Sequence, residues 1–455
     1  MKSSRLFLSI LCGSMLSFSN SFIPTIDALS PVGSVEVDKQ ASQSSINVKS
    51  EIAPLKIVLL HRPGKELLNL TPSTLEKLLF DDIPFLKLAQ QEHDEFAKVL
   101  KDNGVEVVYL EDLAAEAISV SDKVRESFID QFANETSEDK DVRDVLSKYL
   151  NGIKDSKELI LKTMEGIRVK DVTESIESIE SIDSLPEEIA SLKDDTLLAD
   201  PMPNLYFTRD NFASVGNGVT INKMFSETRN REVIYAQFIF TYHPDYKNTK
   251  RYYSRDEKYH IEGGDILNLN SETIAVGISQ RTEKEAIEKF AQNVFSDPES
   301  EIKNIVAFYI PHNRAMMHLD TVFTQVDKDK FTIHPEIRDG LKIFEISKDD
   351  KSDKILAKES FDSLENVLKK HLKLDNVTLI PCGGDDLISG QREQWNDGSN
   401  TLCIAPGVVV VYNRNEVTNE ILRKHGIKVL EISSSELSRG RGGPRCMSMP
   451  LLREN

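Results

Sequence analysis

Short β-rich runs recur along most of this chain with helical stretches between them, and that alternation restricts the fold more than any other feature. The runs fall at Lys56 to His61, Val105 to Leu110, Thr273 to Ser279, Asn304 to Pro311, Asn376 to Pro381, Val408 to Asn413 and Ile427 to Ile432. They are rich in aliphatic, often β-branched side chains that suit a pleated surface. Phe361 to Leu374 and Glu416 to His425 instead carry apolar residues at spacings of three and four, and the second stops at Gly426, a favourable helix terminator. Strands alternating with helices predict an α/β chain. With 455 residues, 39% of them hydrophobic, the chain can bury a substantial core as one large domain or two.

The texture changes between about residues 112 and 195. Val124, Phe128 and Phe132 share one helix face, and Val142, Val145, Leu146 and Tyr149 make another before Asn151-Gly152. This predicts a helical insertion. Within it Glu174-Ser-Ile, Glu177-Ser-Ile and Glu180-Ser-Ile repeat with period three, which matches neither secondary structure for long, and the repeat is assigned no chemistry. Upstream, Met1-Lys-Ser-Ser-Arg5, the apolar run Leu6 to Phe18 and the small polar residues after it have the order of a secretory signal, so residues 1–24 are expected to be a targeting segment. That run is too short to cross a membrane as a mature helix. Residues 25–52 lack a clear period and read as a linker or processed segment, leaving residues 53–455 as the folded part.

Fifty-six basic against seventy-four acidic residues give a formal charge of −18, which disfavours nucleic acid and anionic membranes as partners. Cys12, Cys382, Cys403 and Cys446 show no paired spacing, so neither a disulfide framework nor a metal knuckle is indicated. Asn69-Leu-Thr71, Asn134-Glu-Thr136 and Asn376-Val-Thr378 fit the glycosylation triplet, a pattern too frequent by chance to fix a compartment.

The chemistry concentrates at the end of the chain. In Arg439-Gly-Arg-Gly-Gly-Pro-Arg-Cys446 a lone cysteine follows a loop in which Arg439, Arg441 and Arg445 supply positive charge and Gly440, Gly442 and Gly443 permit close backbone approach. Such surroundings favour a thiolate and make Cys446 the candidate nucleophile over the blander reading of a buried, inert cysteine. Three further segments hold polar groups that a core would not choose: Met202-Pro-Asn-Leu-Tyr-Phe-Thr-Arg-Asp210, with Asn204, Phe207 and Asp210; Glu262-Gly-Gly-Asp265; and His318-Leu-Asp320, whose two polar side chains would face one way on a strand. Gly-Gly-Asp returns at Cys382-Gly-Gly-Asp385, which is either a duplicated module or an ordinary second turn.

In order, Asp210, Glu262, His318, Asp320 and Cys446 resemble the active-site series of the arginine deiminases, a family of the guanidine-modifying superfamily. The likeness runs from Val58-Leu-Leu-His-Arg-Pro-Gly64 to the cysteine loop. It implies a five-bladed α/β propeller of ββαβ-like modules, interrupted by the helical insertion, and hydrolysis of free L-arginine to citrulline and ammonia. By that resemblance Asp210 and Asp320 grip the guanidinium, Cys446 attacks its carbon, and His318 with Glu262 protonates the departing ammonia and then activates water, with no cofactor. Arg229 and Arg281 align with arginines that bind the α-carboxylate alongside Asn204, while Gly440 and Arg441 match positions that close over the substrate. Three carboxylates around a thiol should raise its pKa, so the cationic substrate is expected to promote the nucleophile itself. Pro444 departs from the family, which more often has a small residue there, and the N-terminal extension sets export or organelle targeting against the family's usual cytoplasmic location. The family also implies a homo-oligomer. The alternatives are an amidinotransferase using the same cysteine and histidine, and a catalytically silent arginine binder.

Overall fold

The computed structural model describes residues 46–178, 185–338, 340–349, 351–352 and 354–454. The targeting segment 1–24, residues 25–45 of the expected linker and the last part of the Glu-Ser-Ile repeat lie outside them.

Aliphatic runs become strands wherever both faces can be covered, and one pairing rule recurs through the chain. Leu55–Leu60 (β1) runs parallel to Glu106–Tyr109 (β2). Ile167–Arg168 (β3) and Leu197–Ala199 (β4) make a small antiparallel pair. Phe212–Val215 (β5) and Gly218–Ile221 (β6) form a hairpin whose second strand pairs in parallel with Lys250–Tyr253 (β7). Ile266–Asn270 (β8), Thr273–Ile278 (β9) and Asn304–Tyr309 (β10) repeat that order of antiparallel then parallel. So do Phe323–Gln325 (β11) and Lys330–Ile333 (β12), with a partner that follows later. Lys342–Lys348 (β13) and Ile355–Ser360 (β14) extend the β10 edge. Thr378–Pro381 (β15) completes the β12 sheet. Leu402–Ala405 (β16), Val408–Tyr412 (β17) and Lys428–Ile432 (β18) repeat the rule again. Met449–Arg453 (β19) returns to lie antiparallel against β1. The first and last of the described strands therefore share one sheet, and among the described residues five sheets follow one pairing rule.

Parallel neighbours need a crossover, and helices supply it. Leu86–Asp102 links β1 to β2, Lys284–Ser296 links β9 to β10, and Glu416–Lys424 links β17 to β18. Gly426 ends the last of these with a φ of +80°, the left-handed stop that glycine tolerates. The region from 110 to 165 forms four helices, Leu110–Ile118, Asp122–Thr136, Lys140–Gly152 and Ser156–Glu165. Ser121, Asp139 and Asp155 cap three of them through backbone N–H groups. Phe128 meets Tyr235 and Phe238 of the Ile234–Tyr242 helix edge-on or tilted, so the helical region shares its core with the sheets. Among the described residues no helix is long and apolar enough to cross a membrane.

The expected start of the folded part near Pro54 is too late. Ile46, Val48 and Ile52 are buried, Asn47 N–H donates to Leu451 O at 3.0 Å, and Val48 exchanges two hydrogen bonds with Gly216. Residues 46–52 are a strap packed across the outer end of β19, because Ile46 and Val48 alternate with polar residues at the strand period.

Candidate active site

In four of the five sheets a short segment lies just before the first strand, in the β1–β2–β19 sheet it lies just before β19, the strand that pairs antiparallel, and these segments converge. Thr208–Asn211 precedes β5 and carries Asp210. Glu262 caps the one-turn Gly263–Asp265 helix ahead of β8. His318 caps the Leu319–Val322 turn ahead of β11, with Asp320 inside it. Asn400 stands two residues before β16, and Cys446 three before β19. Asp320 thus lies in a helical turn with His318 just before it, so the two do not stand on one face of a strand. His318 has extended backbone, and only Asp320 follows helical geometry.

Asn400 holds Cys446 from two sides. Its Oδ1 accepts from the Cys446 N–H at 3.0 Å, while its Nδ2 donates to Sγ at 3.2 Å. Asp320 Oδ2 lies 3.6 Å from Sγ and accepts from Arg445 Nη1 at 2.7 Å. Across the cleft His318 Nε2 is 2.7 Å from Glu262 Oε2, and its Nδ1 is 3.8 Å from Asp210 Oδ1. Asp265 fixes the segment carrying the imidazole by accepting from Leu319 N–H at 2.8 Å and Ser279 Oγ at 2.6 Å. A Cβ on Gly264 would stand 2.7 Å from the His318 ring, so only glycine lets these two segments approach.

Arg229 donates to Asp210 at 2.9 Å and to Glu232 at 3.0 Å. Arg281 lies 3.5 Å from Glu262 and over the Phe225 ring. The buried Asp210 Oδ1, Asp320 Oδ1, Arg229 Nη2 and Arg281 Nη1 have no hydrogen-bond partner within the protein. Each of these groups is ion-paired elsewhere, Asp210 and Arg229 with each other, Asp320 with Arg445 and Arg281 with Glu262 at 3.5 Å, so what is left over is a set of buried atoms without hydrogen bonds, carboxylate oxygens of one sign and guanidinium N–H groups of the other.

Burial, then Asp320, Asp210 and Asp397, push the Cys446 thiol well above its ordinary range, and Arg445 opposes them too weakly. A thiolate-favouring loop is therefore the wrong description of the unliganded protein. Of the three loop arginines only Arg445 acts on the sulfur. Arg439 pairs with Asp82 and Glu436, and Arg441 stacks 3.5 Å above the Trp395 ring. Burial would lower the His318 pKa, but Asp210, the Glu262 hydrogen bond and Asp265 raise it to about 9, so the imidazole is a proton donor at neutral pH. Burial would raise Glu262, yet Arg281, His318 and Arg229 hold it far below the usual carboxylate range.

All eleven residues singled out in the sequence lie in or beside this cleft, which Asn204, Phe207, Gly440 and Arg441 help to line. A side chain at Gly440 or Gly442 would collide with Phe207, so the cysteine loop rests on that ring. Asn204 turns partly away, donating to Leu78 O at 2.7 Å. Asn400, Asp397, Arg445's partner Glu51, and Met317 were missed as site residues. The signal for the first two was Asn396-Asp-Gly-Ser-Asn400, a polar turn immediately before an aliphatic run. The two Gly-Gly-Asp copies are not equivalent. The first opens a sheet, whereas Cys382-Gly-Gly-Asp385 follows β15 with Gly383 and Gly384 at φ +70° and +72°.

Comparison with known proteins agrees with this arrangement. A solved amidinotransferase from Microseira wollei, of a saxitoxin biosynthetic pathway, superposes with a TM-score of 0.50 over 90% of this chain and 98% of its own at 14% identity, a likeness of fold alone. A protein named arginine deiminase from Treponema denticola is 56% identical over 90% of this chain and 99% of its own length. Another of that name from Clostridium perfringens is 54% identical over 90% and 98%. The family model described as Arginine deiminase matches residues 76–453, and the chain belongs to the arginine deiminase family.

Proposed function

We propose that this enzyme hydrolyses free L-arginine to L-citrulline and ammonia through a covalent intermediate on Cys446. The observation that carries the reading is the two-signed set of buried atoms without a hydrogen-bond partner. The free oxygens of Asp210 and Asp320 suit a guanidinium in front of the sulfur, and the free N–H groups of Arg229 and Arg281 suit an α-carboxylate. With the guanidinium held, the Cys446 thiol loses its proton to solvent, and the thiolate adds to the central carbon. The C–N bond breaks as His318 gives its proton to the leaving nitrogen, releasing ammonia. The neutral imidazole, braced by Glu262, then takes a proton from water as the oxygen attacks the same carbon, and the C–S bond breaks to release citrulline. Asn400 Nδ2, within hydrogen-bond distance of Sγ, stabilises the sulfur whenever it carries charge.

Transfer of the amidino group to an amine is disfavoured, since identity to proteins named arginine deiminase exceeds half while that to the amidinotransferase is 14%. A silent binder would need neither the thiol nor the His318–Glu262 pair. The repeated pairing rule supports a five-bladed propeller in which the β1–β2–β19 sheet joins first blade to last. The charged and apolar order of residues 1–24 supports export or organelle targeting, and family likeness supports a homo-oligomer, which light scattering tests directly.

The deciding assay is citrulline formation from L-arginine, with agmatine in parallel, comparing the enzyme with its Cys446→Ala variant. Arginine-selective, cysteine-dependent citrulline is expected. Activity that survives the substitution would assign the wrong nucleophile.

A further inference from the structure

The N-terminal strap ends in a buried carboxylate that the reaction above does not use. Glu51 accepts from Arg445 Nε at 3.0 Å and Nη2 at 3.2 Å, a side-on bidentate grip, and also from the Asn268 N–H at 3.0 Å. Nη2 also donates to Ile266 O at 2.8 Å, and Nη1 donates to Asp320 Oδ2 at 2.7 Å. The guanidinium is 1% exposed, so its orientation is set wholly by these partners. One oxygen of Asp320 is thereby tied down, and the other, Oδ1, is buried without a hydrogen-bond partner. Glu51 stands upstream of residues 76–453, the stretch that the family model matches.

We infer that Glu51 is a positioning residue for the reaction: it aims Arg445 at Asp320, and with Arg445 it fixes the charge balance felt by the Cys446 sulfur and the substrate cation. Three buried cations, Arg445, Arg209 and Arg453, act on Glu51, with Asp320 as the second carboxylate of the cluster; Arg209 bonds the Arg445 carbonyl at 3.2 Å and has a second N–H without a partner. The charged groups that act most on the sulfur are Asp320, 3.6 Å away, then Asp210, Asp397 and Arg445. Removing the Glu51 charge leaves Arg445 and Arg209 in excess. That excess repels the substrate guanidinium, yet it stabilises a thiolate. The two effects have opposite signs for catalysis, which separates this role from a merely structural one. Burial would raise the Glu51 pKa, but Arg445 and Arg209 hold it down at about 2, so the carboxylate is ionised throughout the working range.

The inference rests on the Cys446 and Asp320 roles proposed above, and the test keeps the two apart. The full-length enzyme and its Glu51→Gln and Glu51→Asp variants are compared by citrulline kinetics and by the pH dependence of Cys446 alkylation with iodoacetamide, using Cys446→Ala as blank. The Glu51→Gln variant is expected to lose about ten- to a hundredfold in kcat/KM, mainly through KM. Its alkylation midpoint is expected about one pH unit lower than in the parent enzyme. Glu51→Asp, which keeps the charge at shorter reach, should restore the alkylation midpoint while recovering only part of kcat/KM. An unchanged or higher midpoint in the Glu51→Gln variant overturns the inference, whatever its thermal stability. Should that variant not fold, Glu51→Asp decides: a kcat/KM equal to the parent's overturns the inference, and a loss through KM with an unmoved midpoint supports it. Failure of the parent enzyme to make citrulline would instead strike the functional reading.

Discussion

A thiol surrounded by carboxylates is a poor nucleophile until a cation arrives, and the size of that change follows from the site. Burial together with Asp320, Asp210 and Asp397 keeps the Cys446 sulfur neutral at physiological pH. Asp320 Oδ2 is 3.6 Å from Sγ, so a guanidinium bound to that carboxylate brings its positive charge to a comparable distance. Two unit charges about 4 Å apart interact by about 4 kcal/mol at an effective dielectric near 20. That corresponds to roughly three pKa units. A non-reacting guanidine that occupies the cleft should therefore lower the thiol's titration midpoint by that order, and by linkage should bind more tightly as pH rises. The readout is thiolate absorbance in the ultraviolet across a pH titration, taken as the difference between the enzyme and its Cys446→Ala variant, with and without ligand. A midpoint that does not move while the ligand demonstrably binds would refute substrate-assisted ionisation. The sulfur would then need a base within the protein.

Replacing Asn400 with alanine removes both its grip on the Cys446 backbone and its donor to Sγ, and kcat should fall about ten- to a thousandfold, as for loss of one donor to a developing charge; an unchanged kcat would make Asn400 a spectator. Arg281→Gln leaves the cysteine untouched but removes an N–H group held for the substrate's far end, so KM for arginine should rise about a hundredfold while turnover of agmatine changes little. Parallel losses for both substrates would show that Arg281 acts through Glu262 instead. Because His318 is raised to about 9 from an ordinary 6.5, the stability it contributes is fully present below pH 6.5 and is lost as pH climbs through 9. His61, raised by Glu111 and Glu66 against burial to about 10, acts in the same direction. Melting temperature should therefore decline from neutral to pH 10, and a flat profile there would contradict both ion pairs.

Legibility in the sequence followed the length and purity of the signal. The strands read from aliphatic runs, such as Val408–Tyr412 and Asn304–Tyr309, are buried on both faces and carry their pattern in their own residues. Phe212–Val215 and Gly218–Ile221 are four residues each, too short for a period to declare itself, and Met449–Arg453 hides behind Pro450 although it pairs along β1. Charged Lys342–Lys348 pairs with β10 and buries only Ile343 and Ile346, and Ile355–Ser360 pairs with Lys342–Lys348 at the exposed edge, so neither run shows a buried strand's pattern. At the site, residues with unusual chemistry in unusual company were readable one by one, Cys446 and His318 above all. Asn400 and Glu51 were not, because an asparagine in a turn and a glutamate in a serine-rich stretch are ordinary until the fold brings them against a cysteine and an arginine.

The internal repeat that matters is consequently one of position, not of words. Gly-Gly-Asp recurs and means nothing shared, whereas the place just before the outer antiparallel strand of a sheet recurs and carries Asp210, Glu262, His318 with Asp320, Asn400 and Cys446. A segment there has its backbone committed at one end to a strand ladder, which holds its side chains to the small tolerances that covalent chemistry on a guanidinium requires. It also has no ladder partner of its own, which leaves it free to adopt a single helical turn or a tight polar loop. Each sheet can vary its entry residue without disturbing its own hydrogen bonding. The cost is that like charges are brought together from separate sheets: Asp210, Asp320 and Asp397 all raise the thiol's pKa. Arg445, Arg229, Arg281 and a protonated His318 offset them only in part, with the two orphaned carboxylate oxygens left over. A cation is the one ligand that satisfies what remains, so the burial that makes Cys446 unreactive alone is the same burial that makes its activation depend on substrate.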